Sequence, residues 1–371
     1  MKKFYIILTA VLFALSLCTA ASAAASPEPS EKTIKRELKI GQKGAEEIEK
    51  HMPRVLDPQA EAKLMMIAAR LTPHLQRDLE YTVRIIDKKE PNAFSLPGGI
   101  TYFTSGMLDF LKSEDEIAAV MCHEFIHADR AHGIVQARRN NVLSLLSIAA
   151  LIAATQTNDK NGAGMAAMAN GIQMAISNSY SIELEKEADA RGIEVLTKAG
   201  YNPAAMLTMM ERMRVEKLKR AHYEMGIYQT HPEDEERVKA ALDFLHHRGI
   251  NIQRRDVVQA LKVTLDDEGK NVVLYVDDNP LLTAPKNEDS LELFGKLRER
   301  LDGSLELELA PYDIKVIDLE EGPSLMVRRE KILTEAERLP TMPTLDETRE
   351  RINAAVNSAR RGGNMITNYY Q

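Results

Sequence analysis

Cysteine is nearly absent: Cys18 and Cys122 are all that the 371-residue chain carries. Removal of an N-terminal leader would leave Cys122 alone, which excludes an internal disulfide. Stability must then come from the core or from a bound metal. Aromatic residues make up only 5%, with no tryptophan. No basic stripe is interleaved with them, which excludes a nucleic-acid surface. Charge of one sign is also scarce. The 55 acidic and 48 basic residues are interspersed, for a net charge of -7, and this weak negative balance says soluble protein and little more. No period near 34 residues repeats, so no tetratricopeptide array is visible. What the chain does have is 44% hydrophobic content, enough for a large core and two domains.

The one strongly apolar terminus has a readable form. Lys2 and Lys3 precede "FYIILTAVLFALSLCTA", and "ASAAASPEPS" follows. A charged n-region, an apolar h-region and small residues predict a secretory leader over residues 1–25, cleaved after Ala21-Ser22-Ala23 or Ala23-Ala24-Ala25. An uncleaved anchor is a second reading, although the run is short for a span. A lipoprotein ending at Cys18 is a third, disfavoured because Leu17 stands where a small residue is expected. Each reading exports the protein, and the predicted compartment is a bacterial periplasm.

Helical spacing recurs over residues 34–51 and 58–76, after a Pro/Ser/Glu linker at 26–33. Residues 81–87 alternate as a strand. Pro97-Gly98-Gly99 forces a bend before a second strand that runs into a helix start. The acidic run Ser113-Glu114-Asp115-Glu116 opens a helix from about 114 to 130. Residues 142–154, "VLSLLSIAALIAA", are too few to cross a bilayer. They read as a buried or hinge-like helix, or as a segment that touches a membrane surface or a hydrophobic client. Residues 158–179 read as a Met-rich flexible loop. Three helices follow: one stopped by Gly200, one opened near Pro203, one ended by Gly249. Beyond residue 250 strand-like stretches ("QALKVTLDD", "NVVLYVDD", "YDIKVIDL", "SLMVRREKI") surround a helix at 290–301, a small α/β domain. A Pro-punctuated linker and a helix over 345–361 end the chain. The predicted class is α+β, divided as leader 1–25, main domain 26–250, accessory domain 251–335, and linker, helix and tail 336–371.

The chemistry starts at His123-Glu124-Phe125-Ile126-His127. Histidines at i and i+4 lie on one helix face and can grip one zinc ion. Glu124, beside the first histidine, can act as general base toward a zinc-activated water. A catalytic zinc needs a third protein ligand and an open position. His132 does not fit the metzincin spacing, because it is five residues past His127 and Arg130 occupies the glycine position. It reads as a helix-end histidine satisfying carbonyls. Glu185 and Asp189, also at i and i+4, can bind the metal and orient a histidine. The same "ELEKEAD" stretch equally suits a charged solvent face. Glu187 and Glu183 point elsewhere, and Glu187 reads as solvated. Cys122 reads as a core residue. Residues 100–104 read as an edge strand that aligns an extended substrate by main-chain pairing, or as simple sheet packing.

Four segments in order carry a resemblance: "NAFSLPGGITYFTSGML" (92–108), "HEFIH" (123–127), "EKEADA" (185–190) and "THPEDEER" (230–237). From about residue 34 to 248 the chain resembles the M48 family of zinc metallopeptidases, in its periplasmic BepA-like branch. That resemblance implies a mainly helical zincin (gluzincin-type) peptidase domain with a small sheet. It implies one Zn2+ held by His123, His127 and Glu185, with Glu124 as base and Asp189 orienting a ligand. His231 maps onto a histidine that can take the fourth zinc position as a latch. Arg237 is a candidate anchor for Asp189 or another carboxylate. The implied function is an exported endopeptidase acting on misfolded or envelope proteins. The alternative is a chaperone-like envelope adaptor with a mainly structural zinc. The chain departs from that branch in having the small α/β domain where tetratricopeptide repeats stand.

Overall fold

The protein is described by a computed structural model over residues 31–139, 180–219, 231, 235–267 and 269–363. The leader with Cys18, the apolar run 142–154, the Met-rich stretch 158–179, and Thr230 and Pro232 lie outside the described residues.

Helix α1 (Glu31–His51) starts inside the predicted linker. Glu31 in its first turn suits the helix dipole and pairs with Lys35 one turn on. Asp57 caps α2 (Pro58–Leu71) by accepting from the Gln59 and Ala60 amides. Pro73, in a single 3-10 turn at Thr72–His74, stops the helix before the predicted residue 76. Strands β1 (Thr82–Ile86), β2 (Ala93–Ser95) and β3 (Ile100–Thr104) form a sheet in the order β1-β3-β2. β1 runs parallel and β2 antiparallel to β3. This corrects the edge-strand expectation for residues 100–104: β3 is central and wholly buried, and the edges are β1, whose outer side pairs with residues 53–55, and β2. The Pro97-Gly98-Gly99 bend has left-handed backbone at both glycines. Helix α1 lies directly on it, since a Cβ on Gly41 would stand 2.0 Å from the Pro97 carbonyl oxygen. Only glycine permits that approach.

A short helix α3 (Ser105–Phe110) leads to α4 (Glu114–Asp129), which carries the histidine motif through the middle of the core. Both ends of α4 are pinned. Ser113 caps the first turn, and the buried Glu116 carboxylate accepts from Lys112 N and from Arg212. At the other end Asp129 Oδ1 accepts from the Gln76 and Arg77 amides and the Tyr81 hydroxyl. A side chain on such a helix is held to a narrow range of positions. Helix α5 (His132–Arg139) follows at once. α6 (Ile182–Ala199) ends at Gly200 in the left-handed conformation, as predicted. α7 (Ala205–Lys219) and α8 (Glu235–His247) complete this part.

A short α9 (Arg254–Val258) connects to a second core. Val257 packs into the first core and Val258 against the second. Arg254 pairs with Glu211 on one side and Glu308 on the other. Then one order occurs twice: an antiparallel meander followed by a helix. The first is β4 (Val263–Asp266), β5 (Asn271–Val276), β6 (Asn279–Pro285) and α10 (Glu288–Ser304). The second is β7 (Ile314–Leu319), β8 (Gly322–Val327), β9 (Glu330–Thr334) and α11 (Leu345–Gly363). "SLMVRREKI" thus supplies two strands, because Arg328 takes positive φ and turns the chain. Among the described residues no helix is long and apolar enough to cross a membrane.

Candidate metal centre

Helix α6 approaches α4 closely because Gly192 faces Cys122. The Cys122 thiol lies 3.6 Å from the Gly192 carbonyl oxygen, and a Cβ on Gly192 would meet the end of Met206 at 2.5 Å. Cys122 is the buried core residue predicted, and burial pushes its thiol pKa up, so it is no nucleophile. This contact sets Glu185 and Asp189 of α6 beside His123 and His127 of α4. The solvent-face reading of "ELEKEAD" is therefore wrong for these two carboxylates, which are buried.

Four buried side chains converge: His123, His127, Glu185 and His231. His123 Nε2 lies 3.0 Å from His127 Nε2, 3.2 Å from His231 Nδ1 and 3.3 Å from Glu185 Oε2. Glu185 Oε1 is 3.4 Å from His127 Nε2 and 3.0 Å from His231 Nδ1. Donors about 2.0–2.1 Å from a common tetrahedral centre stand about 3.3–3.4 Å apart, so this spacing fits a small divalent ion. The second carboxylate fits as well. His123 Nδ1 lies 3.0 Å from Asp189 Oδ1, which leaves Nε2 as the ring nitrogen turned toward the other donors. Three ring nitrogens and a carboxylate crowded in a buried space call for positive charge among them. Burial opposes charge on His123, yet Asp189 and Glu185 raise its pKa to about 10. A nitrogen and oxygen donor set of this kind suits zinc.

The surrounding residues fix the donors. Arg237 does what was predicted and more. Its Nε and Nη2 donate to the two Asp189 oxygens at 2.9 and 2.8 Å, and Nη1 lies 2.7 Å from Glu185 Oε2. Burial opposes ionisation of both carboxylates, but the His231 ring and Arg237 hold Glu185 well below its usual range, and Arg237 with His123 lowers Asp189. Glu124, 1% exposed, stays outside the donor cluster. Its Oε1 is 3.2 Å from His231 Nε2, and its Oε2 accepts from the Ser95 hydroxyl at 2.9 Å.

Two expectations need correction. His132 does not cap carbonyls at a helix end. It opens α5, is buried, and its Nδ1 faces His127 Nδ1 at 3.0 Å. Burial pulls its pKa down to about 4, so it is a neutral partner able to fix the His127 ring. Glu187 is not solvated alone. It accepts from Arg130 and Arg191 at 3.0 and 2.8 Å, because α6 runs alongside the end of α4. Glu183 is exposed, as expected. Two residues of the site were not anticipated. Ser95 lies in a segment already singled out, and its position on edge strand β2 is what turns it toward Glu124. The Tyr180 ring stacks on His127 with centroids 3.9 Å apart at 16°, and it follows a stretch without periodic pattern.

Comparison with known proteins agrees with this geometry. Residues 58–244 match the profile described as Peptidase family M48. The chain is 27% identical over 183 residues to the mitochondrial metalloendopeptidase OMA1 of Schizosaccharomyces pombe, covering 48% of this chain and 51% of that one. It is 28% identical over 217 residues to the beta-barrel assembly-enhancing protease of Escherichia coli K12, and 30% identical over 213 residues to the putative beta-barrel assembly-enhancing protease of Vibrio cholerae. These two alignments each cover 56% of this chain, and 44% and 43% of the relatives. The chain thus spans about half the length of the curated relatives it matches.

Proposed function

Because the chain belongs to peptidase family M48, we propose that it is a zinc-dependent metalloendopeptidase that hydrolyses peptide bonds of unfolded or misfolded envelope proteins and is held latent by His231. The observation that carries this reading is the convergence of His123 Nε2, His127 Nε2 and Glu185 on one point with the Glu124 carboxylate alongside. A zinc ion bound there supplies a lowered water pKa and a polarised substrate carbonyl. Glu124 takes a proton from the attacking water and hands it to the leaving amide nitrogen. Ser95 aims the Glu124 carboxylate, and Asp189 and His132 hold the rings of His123 and His127. Strand β2, with one side unpaired among the described residues, offers main-chain groups to an extended substrate.

His231 reaches both halves of the machinery. Its Nδ1 lies among the donors, and its Nε2 meets Glu124. In this form the fourth position and the base are both occupied, so turnover requires His231 to withdraw. The predicted leader at 1–25 supports a periplasmic location, with residues 142–154 as a segment touching the membrane surface. A closed four-donor site is also what a chaperone-like adaptor with a structural zinc would carry. Glu124 favours the enzyme, since a structural site needs no base.

The test is digestion of an unfolded protein by wild type and His231→Ala, each with zinc content measured. Chelation should abolish cleavage by His231→Ala and added zinc should restore it. His231→Ala should cleave about tenfold faster or more than wild type, since each 1.4 kcal/mol of latch stability is a factor of about 10. Cleavage indifferent to chelation sinks the zinc peptidase. A folded, zinc-loaded His231→Ala no faster than wild type sinks the latch.

A further inference from the structure

Helix α6 sets three acids beside α4: Glu185, Glu187 and Asp189. Glu185 is one of the metal donors, and Asp189 lies against His123. We propose that Glu187 is the carboxylate behind the other histidine of the motif, acting on His127 through His132. Both zinc-binding histidines are then backed by an acid of the same helix, one directly and one across an imidazole. The proposal rests on the zinc centre described above and deepens it.

Helix geometry requires the intermediary. Glu187 is two residues from both Glu185 and Asp189, about 200° round the helix from either. Its side chain is accordingly 33% exposed where theirs are 0% and 3%. His132 spans the gap. Its Nδ1 lies 3.0 Å from His127 Nδ1, and its Nε2 lies 3.6 Å from Glu187 Oε2. The chain is bent to put it there. Ala131 takes φ 52°, a left-handed backbone that a Cβ disfavours, and this break between α4 and α5 folds His132 back onto His127. The placement of protons gives the relay its direction. Two ring nitrogens 3.0 Å apart share one proton. With a metal on His127 Nε2, the neutral His127 ring carries its proton on Nδ1, and His132 Nδ1 accepts it. The proton of His132 is then on Nε2. That nitrogen is buried with no hydrogen-bond partner among the described residues, and the carboxylate facing it is Glu187. The hydrogen bonds from Arg130 and Arg191 both fall on Glu187 Oε1, which leaves Oε2 to His132. At 3.6 Å the pair is a few tenths of an ångström from a hydrogen bond. A carboxylate at the far end makes His132 Nδ1 a stronger acceptor, which holds the His127 ring and raises the basicity of its Nε2.

Glu187→Gln separates this role from a structural one. Its amide oxygen still accepts from Arg130 and Arg191, so the tie between α4 and α6 stays. Its NH2 then faces His132 Nε2, donor against donor. The experiment measures the zinc affinity of the full-length chain by competition with a chelator, and the melting temperature of the metal-free protein. His132→Ala should weaken zinc binding by about 10–100-fold, the range for a partner that orients a metal ligand. Glu187→Gln should weaken it by about tenfold with the metal-free melting temperature unchanged. In the His132→Ala background Glu187→Gln should add nothing, because its path to the metal is already cut. His132→Asn keeps an acceptor near the Nδ1 position and falls short of Glu187. It should recover part of the affinity and leave Glu187→Gln equally silent. A Glu187→Gln loss of the same size with and without His132 overturns the relay and leaves Glu187 a structural tie. Zinc affinity unchanged by Glu187→Gln in the wild-type background overturns it as well. Zinc affinity is read without turnover, so the expected pattern in a chain that cleaves nothing keeps the relay and overturns the peptidase. A wild-type chain that binds no zinc overturns both.

Discussion

Glu124→Gln should lower kcat/KM by about 10²–10⁴-fold, the range a positioned general base supplies, with zinc content unchanged. The reason lies in where the carboxylate stands. It is outside the donor cluster formed by His123, His127, Glu185 and His231, so the change removes no ligand. Glutamine has the same shape, and its amide oxygen can still accept from Ser95, so the side chain keeps its place. What is lost is the ability to take a proton. The comparison belongs in the His231→Ala background, where the 3.2 Å contact between His231 and Glu124 is absent from both partners. Rates on an unfolded protein, read with metal content and melting temperature, make the check. A folded, zinc-loaded variant that cleaves at the parent's rate would remove Glu124 from the mechanism. An adaptor that merely holds clients would keep its holding capacity through the same change, so measuring client binding alongside separates the two functions.

The part of the site that a local pattern can encode was legible. The i, i+4 histidines sit on a helix whose start is announced by Ser113 and three acidic residues, and α4 begins and ends within a residue of expectation. Glu185 and Asp189 were visible as a pair on one face, but a pattern of acids every fourth residue is the same whether the face meets water or metal. The difference is made by Gly192 against Cys122, residues 70 apart in the chain, and no local periodicity carries that contact. The same limit explains Glu187, whose partner Arg130 stands at the end of α4, and His132, which meets His127 across the turn between α4 and α5. In the sheet, alternation identified β1 and the Pro97-Gly98-Gly99 bend announced β3, but neither could tell a central strand from an edge. β2 has three residues, too few to alternate detectably, and it is β2 that takes an edge and brings Ser95 to Glu124. Arg237 followed from its motif, yet its simultaneous hold on Glu185 and Asp189 depends on α8 packing across α6.

That hold gives the second large effect. Arg237→Met should destabilise the metal-free protein by about 3–5 kcal/mol, the cost of leaving a buried ionic network without its partner. Arg237 is 2% exposed and stands against two carboxylates, and all three of its nitrogens are engaged. Without it, Glu185 and Asp189 face each other's charge with burial still opposing ionisation, and only the histidines remain to offset it. Bound zinc supplies positive charge at Glu185, so the loss measured with zinc present should be smaller than with chelator. The pH dependence has a definite sign. Both carboxylates titrate below their usual range in the folded protein, so what Arg237 contributes is fully present above the unfolded carboxylate pKa of about 4 and fades as pH falls through the lower folded values. Wild type and variant should therefore converge in acid. Arg237→Lys should rescue little, because one ammonium cannot reproduce three directed contacts from a planar fork. Denaturant titrations at pH 7 and in acid, with zinc and with chelator, read all of these differences. An Arg237→Met protein as stable as wild type at pH 7 in chelator would mean that the two carboxylates find other partners, and that Arg237 does not hold the metal-binding helix in place.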